Sequence, residues 1–216
     1  MLDYNFVLKN RIFNGVSSEE GKKFLIESNC YIEKYSKNQL IYMAGDTISE
    51  IGIVMQGQIL VEGCDEKSNR VIYSTVEKGN HFGDSYAITG LPISNAVTSG
   101  TDSQVLYISL EKIKDAENGT VAAIMRNNLL EILAEKNMIL SKKIRYTSRK
   151  TIRGKVMAYL KEESILKGTD KFNILFDRQG LADYLNCNRS QLSKELSIMQ
   201  QEGLIEYNKN HFRILF

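Results

Sequence analysis

Of its 216 residues this chain spends very few on the types that build metal, disulfide or membrane sites. It has two histidines, His81 and His211, far apart in sequence. Its three cysteines, Cys30, Cys64 and Cys187, are scattered and odd in number. A disulfide framework and an Fe–S cluster both need more, and closer, thiols, so both are excluded. Three reduced structural thiols in a cytoplasm are the expectation. No run of 18 apolar residues exists, and the opening "MLDYNFVLKNRIF" has no basic region followed by an apolar stretch, so neither a membrane span nor a signal peptide is expected. No Gly-rich phosphate loop, Gly-x-Ser-x-Gly elbow or paired-cysteine site occurs, and no catalytic or metal-ligating residue is assigned. Internal repeats and low-complexity segments are absent too. The one proline, Pro92, lies in "TGLPIS", which reads as a loop between strands.

What the chain does have is an uneven charge. Residues 1–141 carry 13 Lys and Arg against 18 Asp and Glu, a net of −5, whereas residues 142–216 carry 15 against 8, a net of +7. A basic unit appended to an acidic one is the electrostatic footprint of a nucleic-acid-binding module beside a domain with another task. The densest stretch, "KKIRYTSRKTIRGK" from Lys142 to Lys155, holds seven basic residues and no acid.

From about Tyr31 to Ile113 the pattern is strand-like. Runs such as "IGIVMQ", "QILVEG", "VIYSTV" and "VLYISL" are broken by "AGD", "QGQ", "CDEKSN", "EKGN" and "SGTDS". Turn signals every 8–12 residues predict an antiparallel sandwich or barrel. Gly119–Tyr146 then reads as one helix of roughly 40 Å. Ala122, Met125, Leu129, Ile132 and Ile139 recur at three- and four-residue steps, with Leu130, Leu133 and Leu140 widening the apolar surface. No second helix of that length is present to cover it, so a parallel homodimer seam is expected. Thr147 or Ser148 is the expected cap of the next helix, which turns Ile152, Val156, Met157 and Leu160 inward. "GTDKF" reads as a loop, "FNILF" as a short strand, and "GLIEYNKNHFRILF" as two strands around Asn208–Lys209–Asn210.

Between these lies "FDRQGLADYLNCNRSQLSKEL", two amphipathic helices with a tight joint. Leu181, Ala182 and Leu185 form the inward face of the first, and Asn186 suits a left-handed turn. The second buries Leu192, Leu196 and Met199 and presents Arg189, Ser190, Ser193, Lys194 and Ser197 on its other face. Arginine reaches guanine O6 and N7, and short serines contact bases or phosphates without blocking the helix from the groove. Arg189 and Ser190 sit at the N-terminal end, where base contacts are made. Glu195 is discordant there, and is expected at the core edge or paired with a cation. Followed by a two-strand wing inside the basic segment, this pair is read as a DNA-binding helix-turn-helix.

With those residues in view, the chain resembles the Crp/Fnr superfamily of bacterial transcription regulators over nearly its full length. The carriers are "IYMAGD", "IGIVMQGQILV", "KGNHFGDSYAI", the long helix and "DRQGLADYLNCNRSQLSKELSIMQQEGLI". The resemblance implies an α+β chain: a cyclic-nucleotide-binding-like β jelly roll with N-terminal helices over residues 1–117, a dimerisation helix over 118–146 and a winged helix-turn-helix over 147–216. It also implies that ligand binding reorients the DNA-binding pair. Carried over, Arg178 and Gln179 match phosphate-contacting positions, Arg189, Ser190 and Lys194 the main base-facing positions, and Gln191 and Ser193 flank them. The family often has Arg-Glu where this chain has Arg189-Ser190, so its target preference is expected to differ.

In cyclic-nucleotide members of the family the phosphate cassette is Gly-Glu followed about ten residues later by Arg-Ser or Arg-Thr. Here Gly83 and Asp84 stand at the first pair, the arginine position falls at or next to Ser94, and Gly79 to Glu111 contains no Lys or Arg. A buried phosphate would lack its cation, which argues against cyclic AMP. Haem would have His81 alone in the sensor half, which argues against haem. An unknown small molecule that is uncharged or weakly polar, or no ligand at all, is expected, with Gly83, Asp84, Ser94 and Asn95 as the pocket. Expected partners are a palindromic double-stranded DNA operator, a second copy of the chain and, for an activator, RNA polymerase, with no membrane. Two rivals are a sensor module that controls a protein partner without DNA and a cupin-type metalloenzyme. The basic winged unit argues against the first, and the second needs two or three histidines and a carboxylate around one metal.

Overall fold

The computed structural model describes residues 3–64, 70–115 and 119–215, and the chain divides into two compact units, Met1–Leu133 and Ala134–Phe216. The domain boundary expected between residues 117 and 118, and most of the turn expected at "CDEKSN", lie outside the described residues.

The first unit opens with α1 (Tyr4–Val7), a 3-10 turn (Arg11–Phe13) and α2 (Ser18–Glu27). Ser17 starts α2: its Oγ accepts from the Glu20 amide and donates to the Glu20 carboxylate at 2.6 Å, so two polar groups at the helix start satisfy each other. Strands follow as β1 (Tyr31–Tyr35), β2 (Leu40–Tyr42), β3 (Glu50–Gln56), β4 (Gln58–Cys64), β5 (Arg70–Glu77), β6 (His81–Phe82), β7 (Ala96–Ser99) and β8 (Ser103–Ser109). Helix α3 (Asp84–Thr89) lies between β6 and β7, and α4 (Leu110–Lys114) follows β8. They form two antiparallel four-stranded sheets, ordered β1-β8-β3-β6 and β2-β7-β4-β5, and their non-sequential order is that of a jelly roll.

Period-two alternation decides which side of each strand is buried against what. On β3 and β8, Ile51, Ile53, Leu106 and Ile108 join the helices in one core, with Phe13, Phe24 and Leu25. Their neighbours Val54, Val105 and Tyr107 join Ile59, Phe82 and Val97 in a second core. Each such aliphatic side chain contributes about 1.5–3 kcal/mol on burial. Gly52 is required because a Cβ there would meet the Phe82 ring at 2.6 Å.

Helix α5 (Gly119–Thr147) completes the first core with Ala122, Met125, Leu129 and Ile132. Ile139, which continues the same spacing, is exposed: the core ends at Ile132, and Met138, Leu140 and Ile144 beyond it are uncovered too.

The second unit holds α6 (Ile152–Lys167), β9 (Lys171–Asn173), α7 (Arg178–Tyr184), α8 (Arg189–Gln201), β10 (Ile205–Asn208) and β11 (His211–Ile214), with sheet order β10-β11-β9. Two expectations need correction. Neither Thr147 nor Ser148 caps α6. Their hydroxyls bond back to the carbonyls of Lys143 and Ile144, closing α5, and Thr151 Oγ accepts from the Gly154 amide at 3.0 Å instead. The strand read from "FNILF" is displaced toward "GTDKF". It begins at Lys171, opposite Arg213, and ends at Asn173, because Leu175 is wholly exposed and Phe176 turns into an aromatic cluster with Tyr159 and Tyr184.

Candidate nucleic-acid interface and effector pocket

The reading element is built from α7, a four-residue joint and α8. Asp177 caps α7, its Oδ1 accepting from the Gly180 amide at 2.7 Å. The joint is possible because Asn186 takes φ 48°, a left-handed conformation asparagine tolerates. Asn188 then caps α8, its Oδ1 accepting from the amides of Ser190 and Gln191 and from the Ser190 hydroxyl at 2.6 Å. Leu192, Leu196 and Met199 are fully buried together with Leu181, Ala182 and Leu185. That anchorage forces the other side of α8 outward, where Arg189, Ser190, Gln191, Lys194 and Ser197 are exposed and Ser193 is half-buried. The exposed surface carries two cations and short polar chains at the positive end of the helix dipole, which suits the acceptor-rich major groove and its phosphates.

Several side chains that the sequence reading did not single out hold this arrangement. Arg153 on α6 bonds Glu195 at 2.6 Å and Glu202 at 2.8 Å, gripping α8 at two places two turns apart. Lys155 Nζ donates to the carbonyls of Leu185 at 3.1 Å and Asn186 at 2.8 Å, at the C-terminal end of α7. Lys142 and Arg145 both pair with Glu162. Much of the basic run from Lys142 to Lys155 is therefore bound within the unit, while Arg149 and Lys150 are exposed. The Asn188 cap has a local signal, an asparagine immediately before the periodic stretch. The partners of Arg153 and Lys155 lie 30 to 49 residues away and have none.

Arg178 and Gln179 open α7. The Arg178 guanidinium lies 5.0 Å over the Tyr207 ring and 6.0 Å from Phe212, both on the wing strands, and burial lowers its pKa from the ordinary value. Gln179 is exposed and its Nε2 donates to Asp183 at 2.8 Å. Ser197 Oγ is 3.3 Å from the Tyr207 hydroxyl, a second tie between α8 and the wing. Lys209 is exposed at the wing tip with φ 52°.

In the first unit Gly83 takes φ 83° at the start of α3, and a Cβ there would approach Ile48 at 3.0 Å. Asp84 is buried, with its carboxylate 3.4 Å from His81 Nε2. Ser94 is exposed and Asn95 half-buried, and the Ser94 amide donates to the Tyr86 hydroxyl of α3 at 3.4 Å. The segment of the expected arginine and the cassette helix are thus joined by Tyr86. On the inner face of the jelly roll the Tyr35 and Tyr107 hydroxyls bond at 2.8 Å, and burial raises the pKa of both. Beside them, burial pushes Tyr42 up to about 12.

A cyclic nucleotide-binding domain model matches residues 32–118 and a Crp-like helix-turn-helix domain model matches residues 154–215. The chain belongs to the Crp/Fnr family. This Crp/Fnr regulator is 22% identical over 183 residues to the cAMP-activated global transcriptional regulator CRP of Salmonella typhimurium, covering 82% of this chain and 86% of that protein. Its fold is similar to that of the Thermus thermophilus catabolite activator protein (TM-score 0.51, 17% identity, 95% of this chain and 93% of the other). It is also similar to the c-di-GMP responsive global regulator CLP of Xanthomonas campestris (TM-score 0.51, 14% identity, 93% and 100%). A Crp/Fnr chain of this kind is a DNA-binding transcription regulator with a domain for a small-molecule effector. Among its described residues no helix is long and apolar enough to cross a membrane.

Proposed function

We propose that this protein is a homodimeric, sequence-specific transcription regulator without enzymatic activity, whose two α8 helices enter successive major grooves of a palindromic operator. Arg189, Ser190 and Lys194 face the bases, Gln191 and Ser193 flank them, and Arg178 and Gln179 meet phosphates at the start of α7. The observation that carries this reading is the division of α8 into a fully buried aliphatic side and an exposed polar, basic side. The uncovered apolar side chains of α5 support a second copy as the partner, which sets two recognition helices about 34 Å apart, one DNA turn. Arg189→Ala is expected to cost about 1–3 kcal/mol in operator affinity and to relax preference at one base pair. Unchanged affinity and preference, measured by titrating operator variants, would remove α8 from the role of reader. A module that controls only a protein partner would show no steep salt dependence of DNA binding.

The effector we assign to the first unit is uncharged or weakly polar and binds near Gly83, Asp84, Ser94 and Asn95. Support comes from the lack of any Lys or Arg between Gly79 and Glu111, and from Asp84 being buried against His81. A cyclic phosphate there would be desolvated beside a carboxylate with no Lys or Arg from this segment. Calorimetric titration with cyclic AMP is expected to give no heat at high micromolar concentration. Tight binding would overturn the assignment of effector class.

A further inference from the structure

The exposed side of α5 carries more information than its apolarity. Leu130, Leu133, Asn137, Leu140 and Ile144 are spaced three, four, three and four apart, the 3.5-residue repeat of a two-stranded seam. Leu130, Leu140 and Ile144 are 68%, 60% and 63% exposed, Leu133 is half-buried, and Asn137 is exposed in their midst. In heptad terms Leu130, Asn137 and Ile144 hold the a positions, and Leu133 and Leu140 the d positions. An asparagine in the centre of such a stripe costs hydration on burial and contributes nothing to an apolar partner.

We propose that Asn137 forms a polar layer in this seam, hydrogen-bonded to its own counterpart in a second copy, and that this layer fixes the two α5 helices as parallel and in register. The inference rests on the homodimer reading above and names the residue that sets its geometry. A parallel two-fold pair places a against a and d against d, so Asn137 meets Asn137 while every other layer is aliphatic. An antiparallel pair places a against d, so each carboxamide would face a leucine and lose its hydrogen bonds. A shifted register fails in the same way. The side chain is already set for this contact. Asn137 Oδ1 accepts from Ser141 Oγ, one turn on, at 3.2 Å, while Nδ2 has no partner among the described residues and is left to donate. At the flanking positions of a parallel pair Lys136 and Lys143 would face Ser141 and Ser148, with no like-charge clash, whereas an antiparallel pair would set these lysines against each other. The occupant is thereby a second copy of this chain, since an unrelated apolar helix would bury the Asn137 amide without an acceptor.

The test uses the full chain with Asn137→Leu, and sedimentation equilibrium to obtain the dimer dissociation constant. Polar layers are held at a cost in stability, so the variant is expected to dissociate roughly ten-fold less readily. Orientation is read separately with Ile144→Cys in a chain whose Cys30, Cys64 and Cys187 are serine. Efficient self-crosslinking is expected with Asn137 present, and a mixture of registers or larger oligomers once it is leucine. A dimer whose dissociation constant and crosslinking are unmoved by Asn137→Leu would overturn the polar layer while leaving the homodimer intact. A chain that stays monomeric at every concentration, even on operator DNA, would overturn the homodimer itself and the layer with it.

Discussion

The two units of this regulator differ in how far apart in sequence the residues that meet in space lie. In the reader every residue proposed to face DNA comes from 17 consecutive positions, Arg178 to Lys194, and helical periodicity decides which of them point outward. In the sensor the residues proposed for the pocket, Gly83 to Asn95, are also close in sequence, but the core of the jelly roll is not. Tyr35, Tyr42 and Tyr107 arrive from three strands, and the Tyr35 and Tyr107 hydroxyls that bond one another are 72 residues apart. A helix face can be read from spacing, and a sheet core needs the strand order, which spacing does not give.

The comparison can be broken by showing that the two cores are one. Leu192→Ala opens a cavity at the buried centre of the reader and is expected to cost about 2–5 kcal/mol. Hydrogen exchange should show lost amide protection across residues 152–214 and unchanged protection across 31–109. Loss spread evenly over both would mean the units fold as a single cooperative body. The reciprocal change, Gly52→Ala, forces a methyl into the Phe82 ring and should cost about 1–3 kcal/mol, with loss confined to 31–109. A smaller effect sharpens the electrostatic contrast. Lys194→Ala should weaken operator binding and relax preference at one base pair, as its base-facing place requires. A uniform loss over all DNA sequences, with the slope of log affinity against log salt lowered by about 1, would make Lys194 a phosphate contact instead.

How much was legible follows from the same contrast. The two apolar faces of the helix pair and the left-handed Asn186 were readable because each is a local consequence of side-chain type, whereas which cation would meet Glu195 was not. The jelly roll was readable as alternating strands, though not as a pairing order, because β3 meets β8 across some 50 intervening residues. The cap of α6 was misplaced because "TSRKT" offers three hydroxyls, and only the actual end of α5 decides which is left to accept from α6. The basic run showed its charge but not its partners, since nothing in its spacing reveals that Arg153 and Lys155 are engaged within the unit.

The stack of Arg178 on Tyr207 and Phe212 has a mechanical consequence. Together with the Ser197–Tyr207 contact it ties the helix pair to the wing at two places, while the Arg153 clasp ties α8 to α6. A tilt of α6 is thereby handed on to α8, and a tilt of the helix pair to the wing strands. The reader is linked as a lever is, so that a displacement at α6 would reposition its proposed DNA contacts together.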